Sequence, residues 1–215
     1  MTTETMAGRV CVIDDDAEVR GAIGSLLRSS GFDVRLYDSP GALLDAGSPE
    51  VPSCLVLDVR LSGESGLDFQ EALAEHGIAL PVVLITGHGD IPMTVRGMRA
   101  GAIDFLPKPF DDEQLLGAVA AAIGVDRMRR AAAEGSAELK ALFANLTPRE
   151  QEVMGLVVTG LMNKQVAARL ELSEITVKIH RGNVMRKMAA QSLADLVRMA
   201  EQLGVRDESI HRYHT

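Results

Sequence analysis

Tryptophan is absent, and five Phe with two Tyr bring the aromatic content to only 3%. That is too little for the stacked-ring platforms that hold single-stranded nucleic acid. Cysteine is nearly absent as well. Its two copies, Cys11 and Cys54, sit in apolar runs beside Val, Ile and Leu, where a free thiol behaves as a small buried hydrophobe, and a reducing cytoplasm fits best. No apolar run approaches the roughly 20 residues that span a bilayer. The stretch Met1–Gly8 is short and polar, without the layout of a signal peptide. Neither membrane association nor export is expected.

What remains is an ordinary globular composition, 47% hydrophobic and 24% charged, over 215 residues. That length suits one large domain or two small ones. The net charge of -8 conceals an asymmetry that favours two. Residues 1–126 hold 8 Lys and Arg against 20 Asp and Glu, a net of -12, whereas residues 127–215 hold 14 against 10, a net of +4. Only the second part has the sign to meet a polyanion.

In the first part five short apolar runs recur: Val10–Ile13, Val34–Tyr37, Cys54–Leu57, Val82–Ile85 and Ile103–Leu106. Amphipathic segments lie between them, such as Val19–Arg28 with Val19, Ile23, Leu26 and Leu27 on one face. Continuous apolar strands separated by helices predict a doubly wound α/β domain with a parallel sheet covered on both faces. The strand ends carry the chemistry. They are Asp14-Asp15-Asp16, Asp58, Thr86 with Gly87-His88-Gly89 after it, and Lys108-Pro109. Open α/β sheets bind ligands beyond the carboxyl ends of their strands, so these groups should converge. Crowded carboxylates raise one another's pKa, and a hard divalent cation relieves the repulsion. Singly, each piece has a bland reading, since Lys-Pro is usually a turn and acidic triplets commonly cap helices. All four in order at the correct strand ends are hard to obtain by chance.

The runs Val12-Ile13-Asp14-Asp15-Asp16, Leu57-Asp58-Val59-Arg60, Ile85-Thr86-Gly87-His88-Gly89-Asp90 and Phe105-Leu106-Pro107-Lys108-Pro109-Phe110 resemble the four signatures of response-regulator receiver domains. The resemblance implies a flavodoxin-like sheet of order 2-1-3-4-5. It implies that Asp14, Asp15, Asp58 and the main-chain carbonyl of Arg60 hold Mg²⁺ or Mn²⁺, and that Asp58 accepts a phosphoryl group from a cognate sensor histidine kinase. Lys108 would hold the phosphoryl oxygens beside a cis Lys108–Pro109 bond, and Thr86 with Phe105 would form the switch. Asp16 is expected to be a helix-start charge. Where relatives carry Met-Pro after the acceptor, this chain has Leu61-Ser62, and Ser62 is expected to loosen the loop over the metal.

From Asp111 to Lys140 a long helical pattern runs through Leu115, Leu116, Val119 and Ile123 into an Ala-rich stretch, with a break expected at Gly135-Ser136. Thr147-Pro148-Arg149-Glu150 is a capping box that starts the next helix, which should stop near Gly160. Asn163, Ser173 and Ser192 are expected to cap three more. The second and third of these four helices, joined by the turn Glu171-Leu172-Ser173, have the dimensions of a helix-turn-helix. The third puts Val177, His180, Val184 and Met188 on one face, and it carries Lys178, Arg181, Arg186 and Lys187 without an acid between them. Charge alone would favour a merely solvated basic face.

Leu146-Thr147-Pro148-Arg149-Glu150, Asn163-Lys164-Gln165-Val166-Ala167 and Thr176-Val177-Lys178-Ile179-His180-Arg181-Gly182-Asn183-Val184 resemble the LuxR/NarL-type DNA-binding domain. The run from Met185 to Met188 and on through Ser192–Ala200 is similar to the FixJ branch. The resemblance implies that Lys178 and Arg181 contact bases or phosphates, with Thr176, Asn183, Lys164 and Arg186 as further DNA contacts, and that the fourth helix is a dimer contact. His180 would be mainly structural. The reading is therefore a receiver at 9–125, a helical linker at 126–141, a LuxR-type domain at 142–205 and a polar tail at 206–215. Phosphorylation would drive homodimerisation and binding to double-stranded promoter DNA, with RNA polymerase as a further partner and activation as the usual output. The chain is not expected to be an enzyme. An aspartyl-nucleophile phosphatase would need a second carboxylate where Arg60 stands, and an RNA- or protein-binding output is the other alternative.

Overall fold

The computed structural model describes residues 8–87 and 90–205. His88 and Gly89 of the strand-four motif, the residues before Gly8 and the tail at 206–215 lie outside the described residues. The chain divides into two compact units at Ala131/Ala132.

The first unit alternates strand and helix in the order β1 (Arg9–Ile13), α1 (Ala17–Ser29), β2 (Asp33–Tyr37), α2 (Pro40–Ala46), β3 (Ser53–Asp58), α3 (Gly66–Ala72), β4 (Val82–Thr86), α4 (Ile91–Arg99) and β5 (Asp104–Pro107). The long helix α5 (Asp112–Ala144) follows and crosses the unit boundary. All four strand pairings are parallel and the order is β2-β1-β3-β4-β5. Because side chains alternate along a strand, the apolar runs fill two cores. Val10, Val12, Cys54, Val56, Val83 and Ile85 meet Ile23 and Leu27 of α1 and Leu115, Val119 and Ile123 of α5. On the opposite face, Cys11, Ile13, Leu55, Leu57 and Leu84 meet Leu43 of α2 and Leu67 and Phe69 of α3. All six residues of β3 are buried, as expected of a central strand covered on both sides.

Gly66 fixes the approach of α3 to the end of β3. A Cβ there would sit 2.0 Å from the Asp58 carbonyl oxygen, and the Gly66 N–H donates to the Val59 carbonyl at 2.9 Å. Only glycine fits.

At the other end of the sheet, a buried carboxylate anchors α5. Asp126 has a fully buried side chain that accepts from the Ser53 N–H at 2.9 Å, Arg129 at 2.6 Å and Arg130 at 2.7 Å. Arg130 also donates to the carbonyls of Pro49 and Glu50. Burial pushes the Asp126 carboxyl up, but the hydrogen bonds from Arg130, Arg129 and Ser53 outweigh it and hold the group below its ordinary value.

The expected break at Gly135-Ser136 is not found, for α5 is helical through both residues. Ala131, Ala132, Ala133 and Ala137 flank them, and the high helix propensity of Ala offsets the cost of one glycine.

The second unit holds the end of α5 and α6 (Pro148–Val157), α7 (Asn163–Leu170), α8 (Glu174–Lys187) and α9 (Leu193–Leu203). Its core joins Val153, Met154 and Val157 to Val166, Val177, Val184, Met188, Leu196 and Ala200. The capping box is present: Glu150 N–H donates to Thr147 Oγ1 at 3.3 Å, and Thr147 N–H donates to the Glu150 carboxylate at 2.8 Å. Ser173 and Ser192 cap α8 and α9. Asn163 does not cap α7. Met162 is the N-cap, its N–H is satisfied by Gln165 Oε1 at 2.8 Å, and the Asn163 amide oxygen is engaged with Arg181 instead.

Replacing Asp126 by Ala should lower the unfolding free energy of the first unit by about 2 kcal/mol, since a buried N–H loses its acceptor while the two arginines can be rehydrated. Asp126→Asn keeps an acceptor and should lose about half as much. Urea unfolding followed by far-ultraviolet circular dichroism reads the difference; equal losses, or none, would contradict the anchoring role.

Candidate functional site

The carboxyl ends of β1, β3 and β5 bring four predicted residues into one notch. Lys108 Nζ donates to Asp14 Oδ2 at 2.7 Å and to Asp58 Oδ2 at 2.6 Å. Asp14 is fully buried, Asp58 is 6% exposed and Asp15 is exposed. One oxygen from each of the three carboxylates lies within 4.8 Å of the others. One ammonium among three carboxylates leaves the notch negative, and the set of hard oxygen donors is consistent with a Mg²⁺ site.

Local hydrogen bonds hold each group. Asp14 Oδ1 accepts from the Asp16 N–H at 2.9 Å, and Asp58 Oδ1 accepts from the Arg60 N–H at 3.1 Å. Burial pushes the Asp14 carboxyl up against the pull of Lys108. Burial likewise pulls the Lys108 ammonium down, but its two carboxylate partners more than reverse this and hold it above its ordinary value. Asp16 plays the expected part, capping α1 by accepting from the Glu18 and Val19 N–H groups.

The expectation for Ser62 is corrected. Its hydroxyl and its N–H, the latter at 3.1 Å, both donate to Asp15 Oδ2. A Pro at this position would have no N–H to give. Ser62 ties the loop to the site, and its hydroxyl bond is the main reason the Asp15 carboxyl is held below its ordinary value.

Thr86 is buried at the end of β4, opposite Pro107, and its carbonyl accepts from the Lys108 N–H at 2.7 Å. The Lys108–Pro109 peptide is cis. Phe105 is half-buried in β5 and lies near Gly97 of α4, where a Cβ would come within 2.3 Å of Leu84. That close approach of α4 to the sheet was not legible, although Gly97 and the Gln70 side chain that donates to its carbonyl at 3.1 Å make it.

In the second unit the expected DNA contacts differ in exposure and in their partners. Lys164, Lys178 and Arg186 are exposed. Arg181 is half-buried and donates to Asn163 Oδ1 at 3.2 Å, joining α8 to the first residue of α7. Thr176 Oγ1 shares a hydrogen bond with Ser173 Oγ at 2.8 Å, and Asn183 accepts from Arg186 at 3.5 Å. Lys187 does not belong to the outer basic face. Its ammonium donates to the buried Glu150 carboxylate at 2.6 Å and to the Asn145 carbonyl at 3.2 Å. The spacing from Lys178 placed it among the outer charges, but the geometry turns it inward.

Among the described residues no helix is long and apolar enough to cross a membrane. A family model described as "Response regulator receiver domain" matches residues 10–120, and one described as "Bacterial regulatory proteins, luxR family" matches residues 144–200. The chain is similar to Nodulation protein W of Bradyrhizobium diazoefficiens, at 59% identity over 91% of this chain and 86% of the relative. It is also similar to Transcriptional regulatory protein FixJ of Azorhizobium caulinodans, at 44% identity over 91% and 93% of the two chains. Among solved structures, that of the response regulator StyR superposes with a TM-score of 0.83 and 48% identity, covering 91% of this chain and 98% of the other.

The Glu150–Lys187 pair makes a pH prediction. Hydrogen bonds from Lys187 and from the Thr147 N–H hold the Glu150 carboxyl down at about 2. A depressed folded-state value contributes stability above the ordinary carboxylate range and loses it as the proton binds. The melting temperature of the second unit should therefore fall as pH drops from about 5 towards 2, and Glu150→Gln should start lower and fall less steeply. Parallel pH profiles for the two chains would contradict the assignment.

Proposed function

The chain belongs to the two-component response regulators that join a receiver domain to a LuxR-type DNA-binding domain, and from that membership we propose how its own residues carry the signal. Members of this family are transcription regulators and not enzymes. A receiver implies a kinase partner, and a LuxR-type domain implies DNA.

The receiver, taken as residues 9–125, accepts its phosphoryl group on Asp58 from a cognate sensor histidine kinase. The observation that carries this reading is the notch itself, in which the Lys108 ammonium lies within 2.7 Å of both Asp14 and Asp58. A carboxylate oxygen of Asp58 attacks phosphorus, the bond from phosphorus to the histidine nitrogen breaks, and the imidazole leaves. Asp14, Asp15 and Asp58, with the Arg60 carbonyl, would hold Mg²⁺ or Mn²⁺. When bound, that ion supplies a positive charge that offsets the charge on the transferring oxygens. Lys108 is already placed to exchange one carboxylate contact for a phosphoryl oxygen. Thr86 donates its hydroxyl to another oxygen, and Phe105 fills the space vacated.

That rearrangement shifts a pre-existing equilibrium toward a dimer through α4, β5 and α5. A tenfold shift needs about 1.4 kcal/mol, which one charge-assisted hydrogen bond can contribute. Two DNA-binding domains, taken as 142–205 after a linker at 126–141, then engage a near-palindromic promoter site. Lys178 and Arg181 make base or phosphate contacts, supported by Thr176, Asn183, Lys164 and Arg186. RNA polymerase is the further partner and activation is the output. The cytoplasm, with both thiols buried and reduced, is the setting.

Asp58→Asn should abolish phosphorylation by acetyl phosphate and Mg²⁺ while leaving the circular dichroism spectrum unchanged; phosphate retained on that variant, read by intact-mass spectrometry, refutes the acceptor. Lys178→Ala combined with Arg181→Ala should weaken duplex binding and flatten its dependence on salt by about two phosphate equivalents at most. An unchanged salt slope counts against those contacts.

A further inference from the structure

Two isoleucines stand on α8 where a water-facing helix has no use for them. The exposed residues of α8 beyond its first turn fall at Lys178, Ile179, Gly182 and Arg186, and Ile175 begins the same stripe. Ile175 is 73% exposed and Ile179 is 59% exposed, whereas Val177, Val184 and Met188 on the opposite face are buried. Neither isoleucine belongs to the core of the second unit. A β-branched side chain is also a poorer helix former than Ala or Lys at an exposed position. Neither packing nor propensity accounts for the pair.

Their neighbours say what the stripe faces. Lys178 lies between them and has no ion pair among the described residues, and Arg186 closes the stripe one turn beyond Gly182. A Cβ on Gly182 would meet nothing within 4 Å, so the glycine leaves an open step on the surface. Two branched apolar groups flanked by an ammonium and a guanidinium suit a polyanion that also presents apolar groups. In the major groove only thymine offers one, its C5-methyl; the other base edges there present donors and acceptors. Isoleucine pressed on those polar edges would leave them desolvated without a partner.

Resting on the reading of α8 as the major-groove helix, we propose that Ile175 and Ile179 read thymine methyl groups, beside a base pair or phosphate met by Lys178. The two residues are four apart, roughly 6 Å along the helix axis. That is a little under two base-pair steps of about 3.4 Å. The half-site therefore carries two thymine methyls one or two steps apart, on either strand, and Gly182 lets the helix come close enough for both.

The test uses the full chain, treated with acetyl phosphate and Mg²⁺, to select sites from a random duplex pool. The selected half-site is then remade with deoxyuridine in place of each thymine in turn, which deletes one methyl and keeps every hydrogen-bonding group. Two replacements should each weaken binding roughly fourfold, the worth of one buried methyl. One penalty should vanish in Ile175→Ala and the other in Ile179→Ala, and Ile179→Val should keep it. Selected sites in which uracil binds as well as thymine, or penalties that persist in both Ala variants, overturn this inference while leaving DNA binding by α8 intact. A chain that binds no duplex at all overturns the underlying reading and this inference with it.

Discussion

An ammonium group held between two buried carboxylates organises the first unit. Asp14 ends β1, Asp58 ends β3 and Lys108 follows β5, so the pair of contacts at 2.6 and 2.7 Å pulls the outer strand β5 and the inner strands β1 and β3 to one point. The arrangement is tense by construction. Like charges crowd in a low-dielectric setting, and a single cation neutralises only part of them. Whatever adds positive charge to the notch or redistributes its negative charge must therefore disturb the contacts of Lys108. Those contacts continue directly into β4 through the Lys108 N–H and the Thr86 carbonyl, and from the sheet into α4 at Gly97. The same constraint that stabilises the resting notch makes it sensitive to any change of charge there.

The second unit uses its charges differently. Lys187, Glu150 and Thr147 form an internal pair that ties the end of α8 to the start of α6. Arg181 ties α8 to α7, and Arg149 donates to the Leu170 carbonyl at 2.8 Å, tying α6 to the end of α7. With Lys187 and Arg149 held inside this frame and Arg181 giving Asn163 one of its donors, the exposed stripe of α8 is short: Lys178 and Arg186 with two isoleucines and a glycine. A rigid frame presenting few reading groups is what positional selectivity in a groove requires.

Much of this was legible in the sequence because strand ends and helix caps are local. The apolar runs located the strands, and the acids and Lys-Pro at their ends located the notch. Thr147-Pro148-Arg149-Glu150, Ser173 and Ser192 located three helix starts. Failures came where a side chain chose a distant partner. Asn163 satisfied Arg181 rather than its own helix, Lys187 turned inward to Glu150, and Ser62 braced Asp15 rather than freeing the loop. Spacing along one helix says which residues share a face, but not which of them a neighbouring helix will claim. Gly135 and Ser136 failed for the opposite reason: a local signal for a break was overridden by the alanines around it.

Lys108 offsets part of the negative charge of the three carboxylates, and a divalent ion bound there would offset more. Calorimetric titration of Mg²⁺ into the full chain tests it most directly, compared with Asp15→Asn and Lys108→Ala. One site is expected in the wild-type chain, weakened on the order of tenfold by Asp15→Asn and tightened by Lys108→Ala, because a competing cation has gone. Equal affinity in all three chains would contradict the account.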